Sequence, residues 1–96
     1  MTQYLVTAWD YTDPQALERR MAARTAHLEG AKRLKEQGNF ILAGAMLNAN
    51  QEMIGSTMVL QFETPEALEH WKAHEPYILQ KVWEKISIHP LRVANI

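Results

Sequence analysis

Two short stretches carry side chains suited to proton-transfer chemistry. In "RTAHL", Arg24 to Leu28, a guanidinium and the imidazole of His27 stand three residues apart. In "HEPYI", His74 to Ile78, the carboxylate of Glu75 directly precedes a proline. An imidazole changes charge closer to neutrality than any other side chain, and a neighbouring carboxylate can orient it and stabilise its protonated form. A guanidinium stays charged, so Arg24 could stabilise an anionic intermediate or bind an acidic substrate group. The three types together suit general acid–base work on a small molecule.

Both stretches break the pattern of the elements that hold them. Leu17, Met21, Leu28 and Ala31 recur at helical spacing and predict a buried stripe on a first helix. At about 100° per residue, Arg24 falls in the middle of that stripe, His27 lies on its flank and Arg20 points nearly the same way. On a second helix Leu68 and Trp71 lead to Glu75 at the next position of the same face, where an apolar residue is expected. Three readings follow. Arg24 and Glu75 could form a structural ion pair. Glu75 could cap the helix that Pro76 restarts, with Arg24 reaching water. Or His27 and Glu75 could form an acid–base dyad beside Arg24.

Other candidates carry less. His70 and His74 have the i, i+4 spacing of a metal pair, but no third ligand is evident, so no metal site is expected. His89 precedes a proline in a predicted edge strand. Ser56 follows Gly55 without the elbow a serine nucleophile needs, and is expected to donate a hydrogen bond into a cavity. No glycine pattern cradles a phosphate.

The elements that must position these groups read as β-α-β-β-α-(α)-β. A strand over Gln3–Trp9 sends Tyr4, Val6 and Ala8 one way and Leu5, Thr7 and Trp9 the other. Asp13 and Pro14 predict the start of a helix that Gly38 ends. Strands are expected over Phe40–Leu47 and Ile54–Phe62, then a helix from Thr64-Pro65, a short helix over Tyr77–Glu84, and a strand in "ISIHPLRV" with Pro90 marking an edge. This is the ferredoxin-like α+β order with an antiparallel sheet. The strands are apolar on both faces, while the helices can cover only one, so a homodimer meeting through the other face is expected.

With 96 residues, one domain over 1–96 is expected. The net charge of −1, with interspersed signs, argues against a nucleic-acid partner or a membrane-surface helix. No segment predicts a membrane span or a leader, which makes the cytoplasm the default location. The absence of cysteine excludes thiol catalysis and disulfide scaffolds.

The sequence resembles the YCII-related (YciI-like) family over nearly its whole length. The resemblance rests on Arg24 and His27, on Ala43-Gly44-Ala45 after the second strand, on Gly55-Ser56 in the third, and on Glu75-Pro76-Tyr77. It implies a dimeric α+β barrel and a site containing His27 and Glu75. Around that pair, Arg24, backbone amides near Gly44 and the Ser56 hydroxyl are expected to bind substrate, and with no cofactor motif in the chain no cofactor is expected. Enzymes on similar barrels include lactone isomerases, cofactor-free oxygenases and dehydrochlorinases. The leading expectation is therefore a cofactor-independent lyase or isomerase acting on a small cyclic or aromatic carbonyl compound. The alternative is a non-catalytic homodimer that binds a small ligand. Two positions depart from the family pattern. Glu75 replaces an aspartate, adding a methylene worth up to about 1.5 Å of reach, and Ala45 replaces a proline.

Overall fold

The computed structural model describes residues 1–96. The elements are β1 (Thr2–Asp10), α1 (Ala16–Glu36), β2 (Phe40–Leu47), β3 (Met53–Phe62), α2 (Pro65–His74), α3 (Pro76–Leu79) and β4 (Trp83–Leu91). All strand pairs are antiparallel in the order β2-β3-β1-β4, which makes the fold ferredoxin-like. β2 and β4 are the edges, as Pro90 in β4 requires.

The helix ends follow from their residues. The Thr64 side chain accepts the amide of Ala67 at 3.2 Å with Pro65 at the first helical position, the usual N-terminal solution. Gly38, at φ 79°, takes the left-handed conformation that ends α1. α1 starts later than Asp13-Pro14 predicts. Asp13 instead closes the preceding turn by accepting the amide of Gln15, and the helix opens at Ala16.

The last third differs most from expectation. α3 stops at Leu79 after a single turn, and Lys81 at φ 57° reverses the chain. Val82 and Trp83 then enter the core, and Trp83 begins β4 where a helix was expected. Burial of two β-favouring side chains outweighs the short helical pattern around them.

α1 also turns a different face inward. Leu17, Met21 and Leu28 are 41%, 52% and 47% exposed, whereas Ala16, Arg20, Ala23, His27 and Leu34 are buried. Small alanines let the helix sit close to the sheet, and two basic side chains go under it. Such groups stay buried only with partners, so the helix register depends on what β1, β3 and α3 offer them. The apolar core proper lies beside them, built from Val6, Met58, Leu60, Phe62, Trp71 and Tyr77.

Candidate functional site

His27 and Glu75 meet. His27 Nδ1 lies 2.5 Å from Glu75 Oε1, with both side chains almost fully buried. The same Oε1 accepts the amide of Tyr77 at 3.1 Å and so caps α3. Pro76 explains the geometry: it holds Glu75 extended, at φ −72° and ψ 118°, between the two helices. The carboxylate turns back toward α1 and meets His27 there. Capping and pairing, two readings that the sequence leaves as alternatives, are met by one oxygen.

The His27 ring is held on its sides as well. Tyr77 stacks on it at 3.9 Å between centroids and 8° between planes, and Trp83 meets it edge-on at 5.9 Å. With Nδ1 bound to Glu75, only Nε2 has no protein partner. A neutral ring that donates from Nδ1 is a bare base at Nε2.

A cavity of about 240 Å³ borders this ring, between α1 and the β2–β3 side of the sheet. Arg20, Arg24, His27, Gly44, Ser56 and Tyr77 are among its lining residues. Thus Arg24, Gly44 and Ser56, expected beside the dyad from the sequence, all border the same space. Glu75 does not. It lines a separate groove of about 620 Å³ between α1 and α2, together with Arg33, His70 and His74. Arg24 is exposed, makes no ion pair and does not reach Glu75, so the Arg24–Glu75 ion pair, one of the three readings open in the sequence, is absent. His70 and His74 sit on the exposed side of α2, where His74 Nδ1 lies 2.8 Å from the carbonyl of His70.

The buried cation is Arg20 rather than Arg24. Its Nη1 lies 2.9 Å from both carboxylate oxygens of Asp10, and its Nη2 donates to Ser56 Oγ at 2.9 Å. Trp83 Nε1 donates to the same Oγ at 3.1 Å. The guanidinium also lies over the Tyr77 ring, 4.9 Å from its centroid. Burial raises the Asp10 carboxyl above its ordinary value, although Arg20 pulls it down. Burial likewise raises the Tyr77 phenol, against the opposing pull of Arg20 and Arg24, so it remains a neutral hydroxyl.

Asp10, Arg20, Tyr77 and Trp83 are thus site neighbours; of these the sequence reading placed only Arg20 beside His27, and it gave none of them a role. Signals for two of them exist. Arg20 stands seven residues before His27, two helical turns away on one face. Asp10 ends the alternation Val6, Ala8, Asp10 on the helix-facing side of β1, a charged misfit like Glu75. The hydrogen bond from Trp83 has no such signal, because it depends on where β4 begins.

Comparison with known proteins agrees with this architecture. Protein YciI of Escherichia coli O6:H1 is 33% identical over 95 residues, covering 93% of this chain and 95% of that one. An uncharacterized protein of Haemophilus influenzae is 30% identical over the same share. Among solved structures, the 5-chloro-2-hydroxyhydroquinone dehydrochlorinase of Burkholderia phenoliruptrix, in complex with 2,5-dihydroxybenzoquinone, superposes with a TM-score of 0.82. It is 18% identical and covers 96% of this chain and 95% of its own, so it shares the fold. A dimeric ferredoxin-like protein of Jannaschia is 16% identical at a TM-score of 0.56, covering 97% of this chain and 100% of its own. The YCII-related domain matches residues 4–92, and the chain belongs to that family.

Proposed function

We propose that the protein is a cofactor-independent lyase or isomerase that moves a proton on a small cyclic or aromatic carbonyl compound. The observation that carries this reading is the buried 2.5 Å contact between His27 Nδ1 and Glu75 Oε1, which leaves Nε2 as the open ring nitrogen beside the cavity. His27 Nε2 takes an acidic proton from a ring hydroxyl or a carbon next to a carbonyl. Glu75 balances the imidazolium that forms, and Tyr77 holds the ring flat against it. Arg24, at the mouth, and Ser56 stabilise the enolate or phenolate oxygen. The proton then returns to another atom of the product in an isomerisation, or leaves with an anion such as chloride in an elimination. A cavity of about 240 Å³ suits one ring better than an extended substrate. The Burkholderia dehydrochlorinase, with the same fold and a bound dihydroxyquinone, supports this substrate class.

We also propose that the chain works as a homodimer. Away from the helices, the sheet presents Leu5 and Trp9 of β1, Val59 of β3 and Leu42 of β2, with Trp9 and Leu42 each about half exposed. That face turns polar at β4, where Lys85, Ser87 and His89 lie opposite Trp9, Thr7 and Leu5. An apolar centre with a polar margin suits a sheet-to-sheet contact. Light scattering of the wild type and of Leu42→Glu tests this, with a dimer expected in the first and a monomer in the second.

The test of function is proton exchange. Hydroxylated quinones and lactones incubated in deuterium oxide should exchange a carbon-bound proton or turn over with wild type, and His27→Gln should lose that activity. Binding without exchange would favour the ligand-binding alternative. Turnover that survives His27→Gln would refute the dyad.

A further inference from the structure

The buried wall of the cavity fixes the direction of one hydrogen bond. A serine hydroxyl has one proton to give and two lone pairs to receive. At Ser56 both lone pairs are taken, by Arg20 Nη2 at 2.9 Å and by Trp83 Nε1 at 3.1 Å. Neither donor can reverse its role, since a guanidinium and an indole N–H have no acceptor to offer. Arg20 is also permanently charged and anchored by both oxygens of Asp10, so the arrangement does not depend on pH near neutrality. The Ser56 proton has no acceptor anywhere in the protein, yet the residue is only 3% exposed and borders the cavity.

We infer that Ser56 is an obligate hydrogen-bond donor to the ligand, held in that role by Arg20 and Trp83. It therefore selects a ring that carries an acceptor oxygen, ketone or phenolate, at that wall. This rests on the cavity being the ligand site proposed above, and it narrows the ligand class. The other free groups around the space agree in sign. Arg24, which only donates, and the Tyr77 hydroxyl, which can donate, have no protein partner. Against these donors the free side-chain acceptors are His27 Nε2 and, in its second role, the Tyr77 hydroxyl. The complementary ligand brings one acidic proton and two or more acceptor oxygens, as a hydroxylated ring ketone does. A ring bearing amino groups meets the wrong partners. The same saturation argues against nucleophilic attack by Ser56, because attack needs a lone pair that Arg20 and Trp83 occupy.

Calorimetric titration with two ring probes of similar size, 2,5-dihydroxybenzoquinone and 1,4-diaminobenzene, tests this. Wild type should prefer the quinone. Ser56→Ala should weaken quinone binding about tenfold, the worth of one hydrogen bond, and leave the diamine unchanged, while Ser56→Thr keeps the quinone affinity. Trp83→Phe offers a second test in the opposite direction. It frees a lone pair on Oγ, so diamine binding should strengthen severalfold. Quinone affinity unchanged in Ser56→Ala, or diamine affinity unchanged in Trp83→Phe, would overturn the donor assignment while leaving the cavity as a ligand site. Failure of wild type to bind either probe would overturn the ligand reading itself.

Discussion

α1 carries two buried ionisable pairs on one face, and they differ in what they leave free. Arg20 with Asp10 is nearly saturated: the carboxylate is held through both oxygens and the second guanidinium nitrogen is spent on Ser56. His27 with Glu75 uses one ring nitrogen and leaves the other beside a cavity. The first pair cannot change its protonation near neutrality because arginine does not release its proton. The second contains an imidazole, the side-chain type suited to proton transfer around neutrality. A fixed charge pair that orients a donor, next to a switchable pair that can move a proton, is a division of labour suited to acid–base chemistry. A third pair, Arg19 with Asp13, lies only one helical residue away, at 2.8 Å but in solvent. It shows that pairing alone does not make a site.

The largest expected effect comes from breaking the fixed pair. Asp10→Ala takes both acceptor oxygens from the buried Arg20 Nη1, a loss that protonation of the carboxyl does not cause, and should destabilise the fold by about 3–5 kcal/mol in urea unfolding. The double variant Asp10→Leu/Arg20→Met should recover most of that loss, because two apolar side chains carry no desolvation cost. Stability restored together with weakened quinone binding would assign the pair to Ser56 positioning. A double variant as unstable as the single one would make the pair structural.

Glu75→Gln probes the switchable pair. An amide oxygen can still accept from Tyr77 and His27, so α3 keeps its cap, while the charge that balances the imidazolium is gone. Turnover of a responsive substrate should fall roughly 10²–10⁴-fold, with a stability change of about 1 kcal/mol or less, in line with functional charges that contribute little to the fold. Unfolding without this side chain's charge, or turnover unaffected by it, would each contradict the assignment.

Gly55→Ala disturbs the strand beside Ser56. A Cβ there would stand 2.5 Å from the carbonyl oxygen of Ala8, a backbone atom with no freedom to move aside. The loss should be about 1–3 kcal/mol, and the Trp83 indole N–H resonance should shift as the Ser56 contact opens. An unmoved resonance would show that β3 can shift without disturbing the network.

The smallest effects separate the two aspartates by pH. Arg19 holds the exposed Asp13 carboxyl down, to about 2, so its contribution is present above the ordinary aspartate range and lost as pH falls through that value. Asp10 has the opposite sign. Its raised pKa means the fold binds the proton more tightly than the unfolded chain does, so acidification through the raised value favours the fold on that group's account. Carboxyl carbon NMR should show Asp10 protonating above 3.8 and Asp13 below it. The reverse order would mean that Arg20 outweighs burial.

Much of this was legible in the sequence, and the reasons for the rest are local. The chain order of the strands and helices and the caps at Thr64 and Gly38 follow from short-range rules that tertiary packing did not override. Glu75 was legible as a misfit, because a charged side chain at an apolar position has to find a partner, and His27 as a titratable group on the flank of the predicted stripe; Arg24, the misfit at the centre of that stripe, is exposed instead. The face of α1 was not legible. Leu17, Met21 and Leu28 outscore the alanines as apolar residues, yet the helix buries Arg20 and His27, since their partners come from β1, β3 and the α2–α3 junction. Those partners are distant in sequence, and periodicity within one helix carries no information about them. Trp83 was misplaced for a related reason: the turn at Lys81, not the pattern of Tyr77–Glu84, decides where the last helix stops.

The central claim is that Glu75 fixes His27 with its proton on Nδ1 and its base, Nε2, toward the cavity. Nitrogen-15 NMR of the imidazole, assigned by its absence in His27→Gln and recorded where the ring is neutral, reads this directly. The account predicts a protonated Nδ1 and a bare Nε2. A proton on Nε2, or the mixture of tautomers of a free imidazole, would contradict it.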